Sequence, residues 1–174
     1  MKEFLQQGDV LLFERTHFIS HVIGFITRSR YSHAAIYFEE GTFDCVGYNR
    51  NTLVNIYGRK LVVFRAKCPP AIRRAAAGVM KKLLGQPYSW TRVFKTYLYR
   101  CLPVFLRPAW MNERLSREEY HCSRLVSKAF RLAGYGLVTG KSDWAITPDD
   151  IAKSDRVEFI ISGTMASIHG CVLK

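Results

Sequence analysis

The stretch His33-Ala34-Ala35-Ile36-Tyr37-Phe38 decides how the rest of this chain is read. At a period of two it sets His33, Ala35 and Tyr37 on one side and Ala34, Ile36 and Phe38 on the other, the pattern of a β-strand. Glu39-Glu40-Gly41 then reads as a hairpin turn and Thr42 to Val46 as the returning strand. Upstream, Gly8-Asp9 turns the chain into Val10-Leu11-Leu12-Phe13, an apolar run short enough for a buried strand. Downstream, Lys60 to Ala66 is a third strand, rich in Val and Phe, and Pro69-Pro70 block its continuation.

Helical periodicity dominates the remainder. Residues 17–28 place Phe18, Val22, Phe25 and Ile26 at helical spacing. Ala71 to Leu84 is a helix stopped by Gly85 and Pro87, and Val93 to Leu102 is another, ended by Pro103. Cys122 to Ala133 is a third, closed by Gly134, and Pro148 opens a short helical turn. Val157 to Ser162 reads as a last strand. With neither internal repeats nor a low-complexity linker, residues 1–174 are expected to form one α+β domain, an N-terminal antiparallel sheet packed against helices.

Size and composition agree with a folded domain. A chain of 174 residues with 48% hydrophobic and 23% charged residues can bury a core without disulfides or metal. The charge is less ordinary: 26 Lys and Arg against 14 Asp and Glu give +12, which favours anionic partners. The five cysteines (45, 68, 101, 122 and 171) are odd in number, far apart and free of any CxxC spacing. A disulfide scaffold and a zinc knuckle are therefore not expected, and a reducing compartment is. The N-terminal residues lack the apolar run of a signal peptide, and no stretch of 18 apolar residues exists to span a membrane. A cytoplasmic or peripherally membrane-associated protein is the expectation.

Chemistry concentrates at two positions. Cys122 opens a segment whose Leu125, Val126, Ala129, Phe130 and Ala133 form an apolar stripe, and 122, 126, 129 and 133 share one helical face. A helix starting near Cys122 would lower the thiol pKa with its positive end, and its open N–H groups would suit an oxyanion. Against this, Ser116-Arg117-Glu118-Glu119 has the pattern of a capping box, which would begin the helix about two turns earlier. His33 is the candidate base, with small Ala35 beside it leaving room for approach. Alone, a buried Cys in a helix is more often packing than catalysis.

Five short segments, in order, carry more than either residue does. Gly8-Asp9-Val10-Leu11-Leu12-Phe13, Tyr31-Ser32-His33-Ala34-Ala35-Ile36-Tyr37, Gly85-Gln86-Pro87-Tyr88-Ser89, His121-Cys122-Ser123-Arg124-Leu125-Val126 and Thr147-Pro148-Asp149-Asp150-Ile151 together resemble the circularly permuted branch of the NlpC/P60 (papain-like) superfamily. That branch includes the YiiX-type proteins, and lecithin retinol acyltransferase and its relatives are similar. The resemblance spans residues 8 to 155 and implies a permuted papain-like fold, with His33 ahead of Cys122.

It also implies roles. Cys122 would be the nucleophile and His33 the general base of a thiol hydrolase (an amidase or peptidase) or an acyltransferase, passing through a thioester. The substrate would be a cell-wall peptide amide or an N-acyl or ester-linked lipid. Tyr31 matches a Tyr that supports the oxyanion; Ser123 and Tyr88 are placed with it around the cleft. The family's third polar residue maps to Cys45, a poor orienting group for an imidazole. Asp44 is chemically suitable but on the other strand face unless a bulge intervenes. Loss of this third function would leave the alternative reading, a weak or inactive module binding lipid or another anionic ligand.

Other features point less sharply. His17 and His21, four apart, lack the partners of a metal site, and neither metal nor cofactor is expected. Residues 92–111 interleave Phe94, Tyr97, Leu98 and Trp110 with Arg92, Lys95, Arg100 and Arg107, which suits an insertion lying on an anionic membrane surface or a packing element with a solvated basic face. Arg73-Arg74 and Lys81-Lys82 read as a solvated helix face, and with no recognition motif beside them nucleic acid is not the expected partner.

Overall fold

An apolar run without polar alternation is stable as a strand only when both of its faces are covered, and Val10-Leu11-Leu12-Phe13 lies at the centre of a five-stranded sheet. The structure, a computed structural model, describes residues 5–14, 30–38, 41–43, 60–83 and 122–164. Its strands are β1 (Val10–Glu14), β2 (Tyr31–Phe38), β3 (Gly41–Phe43), β4 (Lys60–Ala66) and β5 (Val157–Thr164), in the spatial order β3-β2-β1-β4-β5. All neighbouring pairs are antiparallel. The helices are α1 (Pro70–Leu83), α2 (Cys122–Leu132) and the short α3 (Pro148–Ala152), with a 3-10 turn at Asp143–Ala145.

The alternation read in β2 divides the core as expected. Ala34, Ile36 and Phe38 join Val10, Leu12, Val62 and Phe64 beneath α1 and α2. Ala35 and half-buried Tyr37 join Leu11, Phe13, Leu61 and Val63 on the other face. Phe13, Leu11 and Ala35 are fully buried, so that face is covered too. From α2, Leu125, Val126 and Phe130 are fully buried against the sheet. Transfer of such side chains from water contributes about 1.5–3 kcal/mol each, which fixes which side of α2 faces inward.

The element bounds refine the sequence reading. The long helix begins at Pro70, one residue before the expected Ala71, with Leu84 outside the described residues, and β5 extends to Thr164. β2 and β3 pair as an antiparallel hairpin, with Ile36 opposite Phe43 and Phe38 opposite Gly41, so Gly41 belongs to the strand rather than to the expected turn, and residues 44–46 lie outside the described residues. The helices expected over 17–28 and 93–102, and the capping box at 116–119, lie outside the described residues.

One reading is corrected. Arg73 is not on the solvated face with Arg74: it is buried, and Nη1 donates to Cys68 O at 2.6 Å while Nη2 donates to Gln6 Oε1 at 2.8 Å. The residues just before β1 are thereby tied to the start of α1. At the same junction Gly8 has φ +93°, and a Cβ there would lie 2.4 Å from the Arg73 carbonyl oxygen. Only glycine meets both demands.

Candidate active site

Cys122 stands at the N-terminal end of α2, buried and not joined in a disulfide. His33 is likewise buried in β2, and α2 lies directly against that strand. Two hydrogen bonds draw these regions to one short segment. Ser123 Oγ donates to Ile146 O at 2.7 Å. Three residues further on, the Asp149 carboxylate accepts the Arg30 N–H through both oxygens, at 3.1 and 3.2 Å. The neighbour of the thiol and the entry to the His33 strand are therefore anchored on residues 146–149.

That segment is rigid for local reasons. Thr147 caps α3 by accepting from Asp150 N, and the Asp150 carboxylate accepts from the Thr147 N–H in return, a complete capping box with Pro148 in the first turn. Ser127 Oγ and Arg131 both donate to Asp143, clamping α2 to the loop leading into this segment. The Thr-Pro-Asp-Asp pattern was visible in the sequence; that Asp149 reaches back to Arg30, 119 positions away, was not.

Local strand geometry then sorts the side chains. Phe13 pairs with His33 and Glu14 with Tyr31, leaving Ser32 as an extra residue in β2. Ser32 Oγ points to the Phe13 and Glu14 carbonyls at 3.4 and 3.3 Å. A bulge of this kind re-aims its neighbours, and Tyr31 joins Ala34 in the core beneath the helices. The His33 ring sits 5.9 Å from that of Phe13, on the Leu11 and Ala35 side. The apolar stripe of α2 thus meets the opposite side of β2, and Ala35 is not the surface on which that helix rests.

Among the other sequence-derived candidates, the Ser123 hydroxyl is spent on Ile146 O, making it a tie between α2 and the loop. Burial pushes the Tyr31 phenol above its ordinary pKa; Arg30, 5.8 Å from the ring centroid, only partly counters this. The phenol keeps its proton at neutral pH and remains a donor. Asp44, Cys45, Tyr88, His17, His21 and the 92–111 segment lie outside the described residues.

Cys68 is an internal contrast to Cys122. It is half-buried near the start of α1, and desolvation raises its pKa despite the opposing charges of Arg73 and Arg156. Because the raised value belongs to the fold, stability from this group is complete below the unfolded thiol's pKa and is lost as pH rises through the folded one. Iodoacetamide is expected to modify Cys68 more slowly in the folded protein than in urea at pH 8, with the folded rate still climbing beyond the ordinary thiol range. Equal rates in both states would contradict the assignment.

No protein-family model matches this chain, and no curated protein matches it. Among solved structures, it is similar to metalloprotein YiiX from Escherichia coli O157:H7, with a TM-score of 0.65 at 17% identity, over 91% of this chain and 98% of that one. Among the described residues no three His, Cys, Asp or Glu side chains come together as a metal site, and no helix is long and apolar enough to cross a membrane. At that identity the likeness concerns the fold: this chain has a YiiX-like α+β architecture.

Proposed function

We propose that the chain is a cysteine-dependent hydrolase or acyl transferase, with Cys122 as nucleophile and His33 as general base. The observation that carries the reading is the shared anchorage just described: Ser123, beside the thiol, and Arg30, at the entry to the His33 strand, both bond to residues 146–149. Because α2 rests on the Ala34 side of β2 and His33 lies beside Phe13 on the other, the proposal requires sulfur and imidazole to meet at the N-terminal end of β2, past the Ser32 bulge. Burial of both groups and the helix end under Cys122 support it.

The chemistry is acyl transfer. His33 takes the Cys122 proton as sulfur attacks the acyl carbonyl, and backbone N–H groups at the helix end and the Tyr31 phenol are the oxyanion donors at hand. Collapse of the tetrahedral species breaks the C–N or C–O bond, with His33 returning the proton to the leaving amine or alcohol. Water, or a second acceptor deprotonated by His33, then cleaves the thioester. The proposed substrates are peptide amides and N-acyl or ester-linked lipids. YiiX is described as a metalloprotein; no step here runs through a metal.

An activated acyl ester tests this directly. After incubation with a p-nitrophenyl ester and acid quenching, peptide mass mapping is expected to find a hydroxylamine-sensitive acyl adduct on Cys122 and none on Cys68. Absence of any Cys122 adduct favours the second reading, a binding module on the same fold, which the Cys45 at the family's orienting position also favours.

A further inference from the structure

Arg30, immediately ahead of β2, is held more firmly than its exposure explains. Its side chain is 72% exposed, and a lone arginine at that exposure keeps most of its rotamer freedom. Here Nε and Nη2 both donate to Glu14 Oε1, at 3.2 and 2.8 Å. The Arg30 N–H is fixed at the same time by the two oxygens of Asp149. Strand β1 thus holds the side chain and α3 the main chain. The irregular register at Ser32 sets Glu14 opposite Tyr31, the residue next to Arg30. The outcome is a guanidinium carbon 5.8 Å from the centre of the Tyr31 ring, and Tyr31 itself is buried beneath the helices.

An exposed ion pair adds little to stability, so stability does not account for this arrangement. We infer that Arg30 is a positioning residue of the acyl-transfer reaction: clamped by Glu14 and Asp149, its guanidinium keeps a positive charge beside the Tyr31 ring and strengthens the phenol as an oxyanion donor. The inference rests on the catalytic reading and assigns, within it, the source of that donor's strength. An O–H group stabilises an oxyanion more as its own oxygen parts with the proton more readily. Burial works the other way on Tyr31, and so do the negative charges of Asp149 and Glu14; Arg30 is the influence that opposes them. The guanidinium lies close enough to the ring for a cation–π contact. The two carboxylates each act on the phenol less strongly than the cation they fix, so their net effect through Arg30 favours the donor. The phenol keeps its proton throughout.

Two measurements on the full chain test it. With isotope-labelled tyrosine Cζ followed by NMR, and Tyr31→Phe identifying the signal, Arg30→Gln is expected to move the Tyr31 titration to higher pH. Arg30→Lys, which keeps the charge, should move it less. Single-turnover acylation of Cys122 by p-nitrophenyl acetate is expected to slow roughly two- to fivefold in Arg30→Gln, the span of one cation–π contact at an exposed site, and to recover in part in Arg30→Lys. In a Tyr31→Phe background Arg30→Gln should have no further effect, since the two residues act as one unit; a merely structural Arg30 would slow both backgrounds alike. An unmoved Tyr31 titration, or an equal loss with and without the phenol, overturns the inference. If Cys122 is acylated as fast in Tyr31→Phe as in the parent, the inference falls while the catalytic reading stands. If the parent forms no Cys122 adduct, both fall.

Discussion

His33→Ala is expected to slow acylation of Cys122 by about 10²–10⁴-fold near neutral pH, the range that a positioned general base contributes. Cys122→Ala is expected to abolish it, since among the described residues of the site no other group can form the thioester. The pH profile separates chemistry from folding. With His33 present, the acylation rate should rise through the titration of the thiol–imidazole couple and level off. In His33→Ala the rate should keep rising into the alkaline range, as hydroxide replaces the base. Single-turnover release of p-nitrophenol at a series of pH values measures both. A parallel profile merely lowered in amplitude would mean that His33 packs against Phe13 and does nothing more. Asp149→Ala should give a smaller loss, because it loosens the entry to β2 without removing a reacting group, and Asp149→Asn, which keeps an acceptor for the Arg30 N–H, should recover part of it.

The second large effect concerns stability. Asp9 is fully buried, and its carboxylate takes a two-pronged contact from Arg65, Nε to Oδ1 at 2.9 Å and Nη2 to Oδ2 at 2.8 Å. It also accepts the Gln6 N–H at 2.8 Å. Removing one partner of such a pair leaves the other charged and poorly solvated, and Asp9→Ala is expected to destabilise the fold by about 3–5 kcal/mol. Urea unfolding followed by tryptophan fluorescence should show a midpoint well below that of the parent. The double variant Asp9→Ala with Arg65→Met should be less destabilised than the sum of the single changes, because the orphaned cation is gone. An unchanged midpoint in Asp9→Ala would show that the pair adds nothing to the fold.

The two cases differ in how far the sequence could lead. Beside Gly8 and ahead of four apolar residues, Asp9 reads as part of a turn; its partner Arg65 lies 56 positions away on β4, and only strand pairing brings them together. Arg73 misled for the same reason. Its periodicity on α1 is correct, but a guanidinium at the helix start turns inward when the Ala66 and Cys68 carbonyls and Gln6 are within reach. Ser123, expected at the cleft, has its proton drawn to a carbonyl 23 residues on. Short-range patterns fix which way a backbone position faces, while the acceptor that a polar side chain finds depends on distant segments.

By itself the sequence determined the strands and helices that the structure describes, the sidedness of β2 and the inward stripe of α2. Each follows from a period of 2 or 3.6 residues and from the cost of leaving apolar surface in water. The Thr147–Asp150 cap was equally local, being written within four residues. Only the tertiary structure decided that α2 rests on the Ala34 side of β2 with His33 turned to the other, that Ser32 bulges to send Tyr31 beneath the helices, and that residues 146–149 hold both ends of the candidate site. Those outcomes depend on contacts between segments tens of residues apart, whose geometry is set by sheet register and packing and by no pattern within a single segment.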